Sequence, residues 1–385
     1  MNGGLSPALV RVIAGQVFLH ACMAGARLAA PLQALRLDYS AAAVGFLLAL
    51  FALTQVFLAL PAGRYADRHG LKRPMALSCI AATLGAALAA AYPVFPVLCA
   101  TALLTGGATG VASIALQRHV GRAAQGPLQL KQVFSWLALG PAISNFIGPF
   151  GAGLVIDHGG YRLAFLLLAL LPGIAWFWVR RVEELPPVVP PVGAHASTAL
   201  DLVREPMFRR LLLVNWVLGS CWDVHTFVVP VLGHDRGMSA SVIGSILGAF
   251  AIAAAVVRLL LPVLAAHLRE WVVVTSAMAA TALLFAIYPL LHSPLAMGLC
   301  SVLLGLALGS VQPMVMSTLH QITPEHRHGE AVALRMMVIN ASSVAMPILF
   351  GLAGAAIGVA GLFWIVGGAV GLGTRLAWTL RSPED

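Results

Sequence analysis

The chain has 385 residues, of which 60% are hydrophobic and only 10% charged, with mean hydropathy +0.91 and formal net charge +9. That composition excludes a soluble globular domain and implies an integral membrane protein. Nucleic-acid binding is excluded too, because the surplus Lys and Arg have no soluble basic face to occupy.

Apolar runs of about 20 residues recur, the length a helix needs to cross a hydrocarbon core of about 30 Å. The alternation of an outer-membrane barrel is absent. Twelve spans are predicted, at residues 9–31, 42–63, 74–93, 96–117, 133–156, 161–180, 209–232, 241–266, 271–291, 295–317, 336–356 and 358–379. Span 1 is too long for a signal-peptide core and lacks a small-residue cleavage site, so it is expected to remain. It carries Gln16, His20 and Arg27 on one helical stripe. Spans 2 and 3 are joined by a dense basic loop, AGRYADRHGLKRP, from Ala62 to Pro74. Span 4 has a stripe of Thr109, Ser113 and Gln117, and span 5 is rich in glycine, with Gly140, Gly148, Pro149, Gly151 and Gly153.

A linker at 181–207, with Glu183, Glu184 and a proline cluster from Pro186 to Pro191, divides the spans six and six. The expected domains are therefore a bundle at 1–180, the linker at 181–207 and a bundle at 208–385. A shift of 199 residues brings Arg11 onto Arg210, Cys22 onto Cys221, Pro31 onto Pro230, Ser40 onto Ser239, Gly45 onto Gly244 and Phe51 onto Phe250. A later shift of 203 pairs Gly126 with Gly329 and Gly148 with Gly351. These registers point to duplicated halves. The first shift carries the span 1 stripe onto Asn215, Gly219, Asp223 and Thr226 in span 7, where Trp222 adjoins Asp223. The second carries the span 4 stripe onto Gln312, Met316 and His320 in span 10.

Polar faces on spans 1, 4, 7 and 10 are costly in lipid, so they are expected to line a water-filled path, although Ser, Thr and Gln also serve as glue between helices. Asp223 is the one carboxylate well inside a span and the expected proton carrier, with a permanent ion pair to Arg27 as the alternative. His225 lies off the stripe and reads as a packing residue. Arg27 and Arg258 lie within spans and give the path a positive balance that favours an anionic or zwitterionic solute. Arg118 is expected to snorkel to the headgroups; Lys131 and Arg335 stand between that role and the path.

Putting both termini in the cytoplasm leaves only Arg36, Arg162 and Arg236 outside, in agreement with the positive-inside rule. The five cysteines lie in spans without paired spacing, so neither disulfides nor zinc are expected.

The loop residues Gly63, Asp67, Arg68, Gly70, Lys72 and Arg73 resemble the signature between the second and third helices of major facilitator superfamily transporters. The resemblance implies that family's fold, an all-α integral membrane protein with 12 transmembrane helices in two pseudo-symmetric six-helix bundles. It further implies that Gly63 permits close helix packing and that Asp67, with Arg68, Gly70 and Arg73, latches onto the inner end of span 11. Pro262 and Ala266 stand at the shifted positions of Gly63 and Asp67, so the latch is expected to be one-sided. Gly140, Gly148, Pro149, Gly151 and Gly153 look like the glycine-proline motif in helix 5 of family exporters, although Ala152 replaces a glycine of that pattern. The arginine such exporters carry early in helix 4 is missing near Ala102 and Leu103, as is the acidic residue of helix 1 in multidrug exporters.

The expected function is secondary active transport across the inner membrane, moving a small organic solute by alternating access with proton antiport. Arg27 and Arg258 attract the solute, Gln16, Asn215 and Gln312 orient it, His20, Thr109 and Trp222 line its site, and Asp223 exchanges the proton. A proton symporter importing an organic anion is the alternative. An enzyme acting on lipids or a non-transporting sensor would be a different class, but no His-Glu-x-x-His, Gly-x-Ser-x-Gly or nucleotide-binding loop is present. Partners are expected to be the solute, protons and membrane lipids, with a monomeric chain, no cofactor and no metal.

Overall fold

A computed structural model describes residues 6–39, 41–186, 199–238, 240–264 and 268–381. Among these there is no β-strand. The helices are α1 (Pro7–Arg36), α2 (Ala41–His69), α3 (Lys72–Ala91), α4 (Phe95–Ala123), α5 (Gly126–Leu137), α6 (Leu139–Val179), α7 (Ala199–Arg204), α8 (Pro206–Asp235), α9 (Ala240–Leu264), α10 (Glu270–Ile287), α11 (Pro294–Ile322) and α12 (His328–Trp378).

Glycine and proline set the breaks. Gly70, at φ +73°, ends α2, and Gly126, at φ +81°, opens α5. Pro141 has no amide hydrogen for the Leu137 carbonyl, so α5 stops and α6 restarts at Leu139. α6 is two helices joined at Gly160 (φ 78°, ψ 175°), and α12 is two joined at Gly358 (φ 75°, ψ 167°). Spans 5 and 6 therefore meet at the first break and spans 11 and 12 at the second.

Nine stretches among the described residues are long and apolar enough to cross a membrane, against the twelve spans expected. Three expected spans, 6, 7 and 11, are not counted separately, and in and just beyond span 7 the side chains of 227, 230, 231, 234 and 235 lie outside the described residues. The stretch Gly126–Val179 runs through the Gly160 break and holds two of the expected spans, while the side chains of 346–357 in span 11 lie outside the described residues. Span 7 is present as the 30-residue α8. Large apolar side chains such as Phe57, Leu170, Leu295 and Leu372 are exposed, a surface that lipid rather than water satisfies. The expected linker contains α7, and its residues 187–198 lie outside the described residues.

The chain forms two compact units. One comprises Met1–Ala124, Leu137–Ala199 and Thr323–Ala341; the other comprises Gln125–Trp136, Leu200–Ile322 and Ser342–Asp385. The first unit thus takes in the start of α12, and the second takes in α5. Within the first, α1 packs along α6, and α4 packs against α2 and α3; within the second, α11 packs against α9 and α10.

The same packing device recurs in both units. A side chain on Gly106 of α4 would strike the backbone of Phe51 in α2, and one on Gly305 of α11 would strike that of Phe250 in α9. One turn on, Gly110 sits on Gln55 and Gly309 on Ala254. Small residues at this spacing let helix backbones touch, the main way helices associate in lipid. All four pairs obey the 199 shift, as do the positive-φ turn residues Asp38 (φ 59°) and Gly237 (φ 69°).

The 203 shift fails in α4, although Gly126 and Gly329 both lie at helix starts. The register of α4 on α11 is 199, so Thr109 corresponds to Leu308 and Ser113 to Gln312. The breaks at Gly160 and Gly358 are 198 residues apart. Of the shifted pairs, Ser40 and Ser239 lie outside the described residues, as do Ala266 and the side chains of Gly45, Pro230, Gly244 and Gly351.

Candidate functional site

The most developed polar site lies in the first unit, where α2 meets the start of α12. The Asp67 carboxylate accepts the Gly329 N–H at 2.9 Å through Oδ1 and the Glu330 N–H at 3.1 Å through Oδ2. These are first-turn amides of α12, which have no partner inside the helix and carry the positive end of its dipole. Arg118 of α4, with its side chain only 2% exposed, donates to Asp67 Oδ1 at 2.5 Å and to the Asp67 carbonyl at 3.1 Å. Arg118 is thus tied into the protein rather than snorkelling.

Close backbone approach makes this geometry possible. A Cβ on Gly63 would collide with the Gly329 carbonyl and with Ala333, and one on Gly329 would collide with the Gly63 carbonyl and the Asp67 carboxylate. Glu330 extends the network: it binds Arg64 Nε at 3.1 Å and Arg327 at 2.7 Å. Beside it, Arg122 Nε pairs with Glu325 at 3.0 Å. Of the expected latch residues, Gly63 and Asp67 are at the contact and Gly70 shapes the end of α2, whereas Arg68 and Arg73 are exposed alongside it. Sequence reading missed Arg64, Arg327 and Glu330, whose partners lie more than 260 residues away for the Arg64–Glu330 pair; their one signal was charge density at helix ends.

The second unit has a clasp of a different kind. Lys131 of α5 donates to the Leu268 carbonyl at 2.6 Å and lies 3.7 Å from Glu270, at the start of α10. Glu270 also accepts from Ser317 and Gln321 of α11, each at 2.9 Å. Gln132 of α5 donates to the Pro262 carbonyl at 3.0 Å. The carboxylate comes from the helix after the expected position, and Ser317 stands where the 199 shift places Arg118. This explains why a search for a second aspartate at residue 266 fails.

The expected solute-facing residues divide between the units. In the first, Gln16 is buried against Gly140, and the ring of His20 shares a hydrogen bond with Asn145 of α6. Arg27 is exposed. Thr109 spends its hydroxyl proton on the Thr105 carbonyl, continuing a ladder from Thr101 and Thr105. Gly148 packs on the Ala21 carbonyl and Gly25 of α1, while a Cβ on Gly153 would reach only Leu28, at 3.9 Å; Pro149 lies between them in α6. Of the motif's glycines, Gly140 and Gly148 make tight contacts with α1, whereas Gly151 and Gly153 do not.

In the second unit, Trp222 and Arg258 form a pair, the guanidinium 5.6 Å from the indole centroid. Trp222 also meets Phe250 edge-on at 4.6 Å, and Arg258 Nε donates to the Gly309 carbonyl at 3.3 Å. Asp223 takes a hydrogen bond with Ser343. Asn215 is buried on the same helix, and Gln312 is half-buried on α11. His225 stacks on Phe250 at 4.1 Å and bonds Ser301 at 2.9 Å, which in turn bonds Tyr288, the packing role expected for it. Lys131 belongs to the clasp described above, and Arg335 is buried in the first unit. Among the described residues no His, Cys, Asp and Glu cluster can hold a metal ion.

The family model for the Major Facilitator Superfamily matches residues 12–327 and 211–385. The chain belongs to that superfamily. A curated relative in it, tetracycline resistance protein, class B, from Escherichia coli, is 34% identical over 146 residues. The match spans 36% of this chain and 35% of the relative, about a third of each. Among solved structures, a bacterial homologue of the iron transporter ferroportin in an outward-facing state aligns with TM-score 0.82 at 14% identity, covering 97% of this chain and 100% of the other. The human organic anion transporter MFSD10 (TETRAN) aligns with TM-score 0.79 at 17% identity, covering 96% and 99%. These likenesses bear out the all-α multi-pass fold; the superfamily is one of transporters and not of enzymes.

Proposed function

We propose that this superfamily member is a secondary active transporter of the inner membrane, with both termini in the cytoplasm, that expels a small organic solute in exchange for protons. The observation that carries the reading is the Asp67 carboxylate seated on the first amides of α12. In so apolar a chain, a polar lock between helix ends joins and releases without rebuilding a packed core, as alternating access requires. The solute engages the polar faces of the two units in turn, with Arg27 and Arg258 drawing an anionic or zwitterionic group and Gln16, Asn215 and Gln312 orienting it. His20, Thr109 and Trp222 complete those faces. Asp223, bonded to neutral Ser343 and in no ion pair among the described residues, is the proton carrier.

A relative named for tetracycline resistance supports export, since removal of the compound is how a transporter protects a cell. Import of an organic anion with protons is the second reading, favoured by the cations Arg27 and Arg258. Uptake of a compound panel into everted vesicles with an imposed pH gradient separates them. Antiport accumulates solute when the vesicle interior is acid, and Asp223→Asn abolishes that accumulation. Reversed dependence on the gradient establishes symport, and full gradient-driven transport by Asp223→Asn removes the proton role of that residue.

A further inference from the structure

Beside the latch, and lined in part by its Asp67 and Arg118, lies a charged cavity. It has a volume of about 420 Å³ and is lined by the turn from α2 to α3, the end of α4 and the segment at Glu184, with Arg68, Lys72, Arg73 and Arg122 among its walls. Glu184 is among its lining residues. The carboxylate accepts the Leu71 N–H at 2.6 Å and the Lys72 N–H at 3.0 Å, the amides that open α3. Gly70 makes room for this approach, because a Cβ there would strike the Glu184 carboxylate. Arg122 donates to the Pro186 carbonyl at 3.0 Å.

The charge of this cavity is unbalanced. Asp67 is committed to Arg118 and α12, and Arg122 to Glu325. Arg68, Lys72 and Arg73 enter no ion pair among the described residues. A single carboxylate thus faces three uncommitted cations around a helix start that already holds an anion. Guanidinium groups with helix-opening amides make the donor set that tetrahedral oxyanions favour.

We propose that this cavity is a binding site for a phosphate-bearing anion, with Arg68, Lys72 and Arg73 as its cationic contacts, the α3 amides as its backbone donors and Glu184 as a built-in competitor for them. The phosphate comes either from the headgroup of an acidic lipid or from a soluble phosphate compound. By taking the amides, the anion displaces Glu184 from the start of α3.

The test uses the full-length protein in nanodiscs and measures binding rather than transport, so its outcome is separable from that of the transport reading. Pyrophosphate is titrated into phosphatidylcholine discs, with chloride at matched ionic strength as control, and thermal unfolding is compared between phosphatidylcholine and phosphatidylglycerol discs. Glu184→Gln is expected to tighten pyrophosphate binding about tenfold if Glu184 fills the cradle ~90% of the time. The double substitution Arg68→Gln/Arg73→Gln alters exposed side chains, leaves the fold intact, and is expected to weaken binding about tenfold or more. Pyrophosphate binding in phosphatidylcholine that follows this pattern supports a soluble source. Stabilisation by phosphatidylglycerol alone, lost in the double variant and enhanced by Glu184→Gln, supports the lipid. Absence of both effects, or effects indifferent to these substitutions, overturns the proposal.

Discussion

Asp67 concentrates more of the chemistry than any other side chain: it caps α12, anchors Arg118 and sits against Gly329. Replacing it with Asn leaves Arg118 buried without its counter-charge, a change that costs about 3–5 kcal/mol when one partner of a buried pair is removed. Asp67→Asn is therefore expected to lower the thermal unfolding midpoint and slow transport, and Arg118→Gln in that background is expected to restore part of the stability. A double-mutant cycle by thermal unfolding checks this; strictly additive losses would show the two groups uncoupled. Asp67 itself was legible in the sequence because the loop signature marks it. Arg118 was read as a snorkelling group because spacing along α4 gives its depth but not what lies beside it, and Glu330 was invisible because its partners meet only through the fold.

Elements carry the next level of the account. α5 belongs to the second unit and the beginning of α12 to the first, and each is held by a carboxylate, Glu270 at the start of α10 for one and Asp67 near the end of α2 for the other. Lys131→Met keeps the bulk of the α5 side chain but removes its bonds to Leu268 and Glu270. It is expected to destabilise the protein by about 1–3 kcal/mol, as for loss of a hydrogen bond to a charged group, and faster proteolysis within residues 125–136 would report it. If cleavage there is unchanged, Lys131 does not hold α5. The glycine contacts make a parallel statement about symmetry: Gly106→Val and Gly305→Val each force a side chain into the backbone of the facing helix. Both are expected to lower the unfolding midpoint strongly and by similar amounts. The helical spans were readable from apolar length alone, and the 199 shift from Phe51 and Phe250. The clasp at Glu270 was not, because the carboxylate moved to the next helix and left Pro262 and Ala266 at the positions that pattern matching inspects.

At the scale of the whole molecule, composition alone led to an integral membrane protein, and the loop signature led to the superfamily that the family match establishes. The solute was beyond reach for a physical reason: the stripes of Gln16, Asn215 and Gln312 define which helices are polar, whereas selectivity depends on side-chain placement that periodicity does not encode. The central claim is that the contact between α2 and the start of α12 opens and closes during transport. Arg64→Cys and Glu330→Cys replace residues whose side chains are 3.1 Å apart, and Arg64 is half-exposed, so a short bifunctional thiol reagent can join them. The decisive measurement is gradient-driven transport by this double variant in everted vesicles before and after joining with a reagent that a reductant cleaves. The account predicts that joining stops transport and that cleavage restores it; undiminished transport by the joined protein would contradict it.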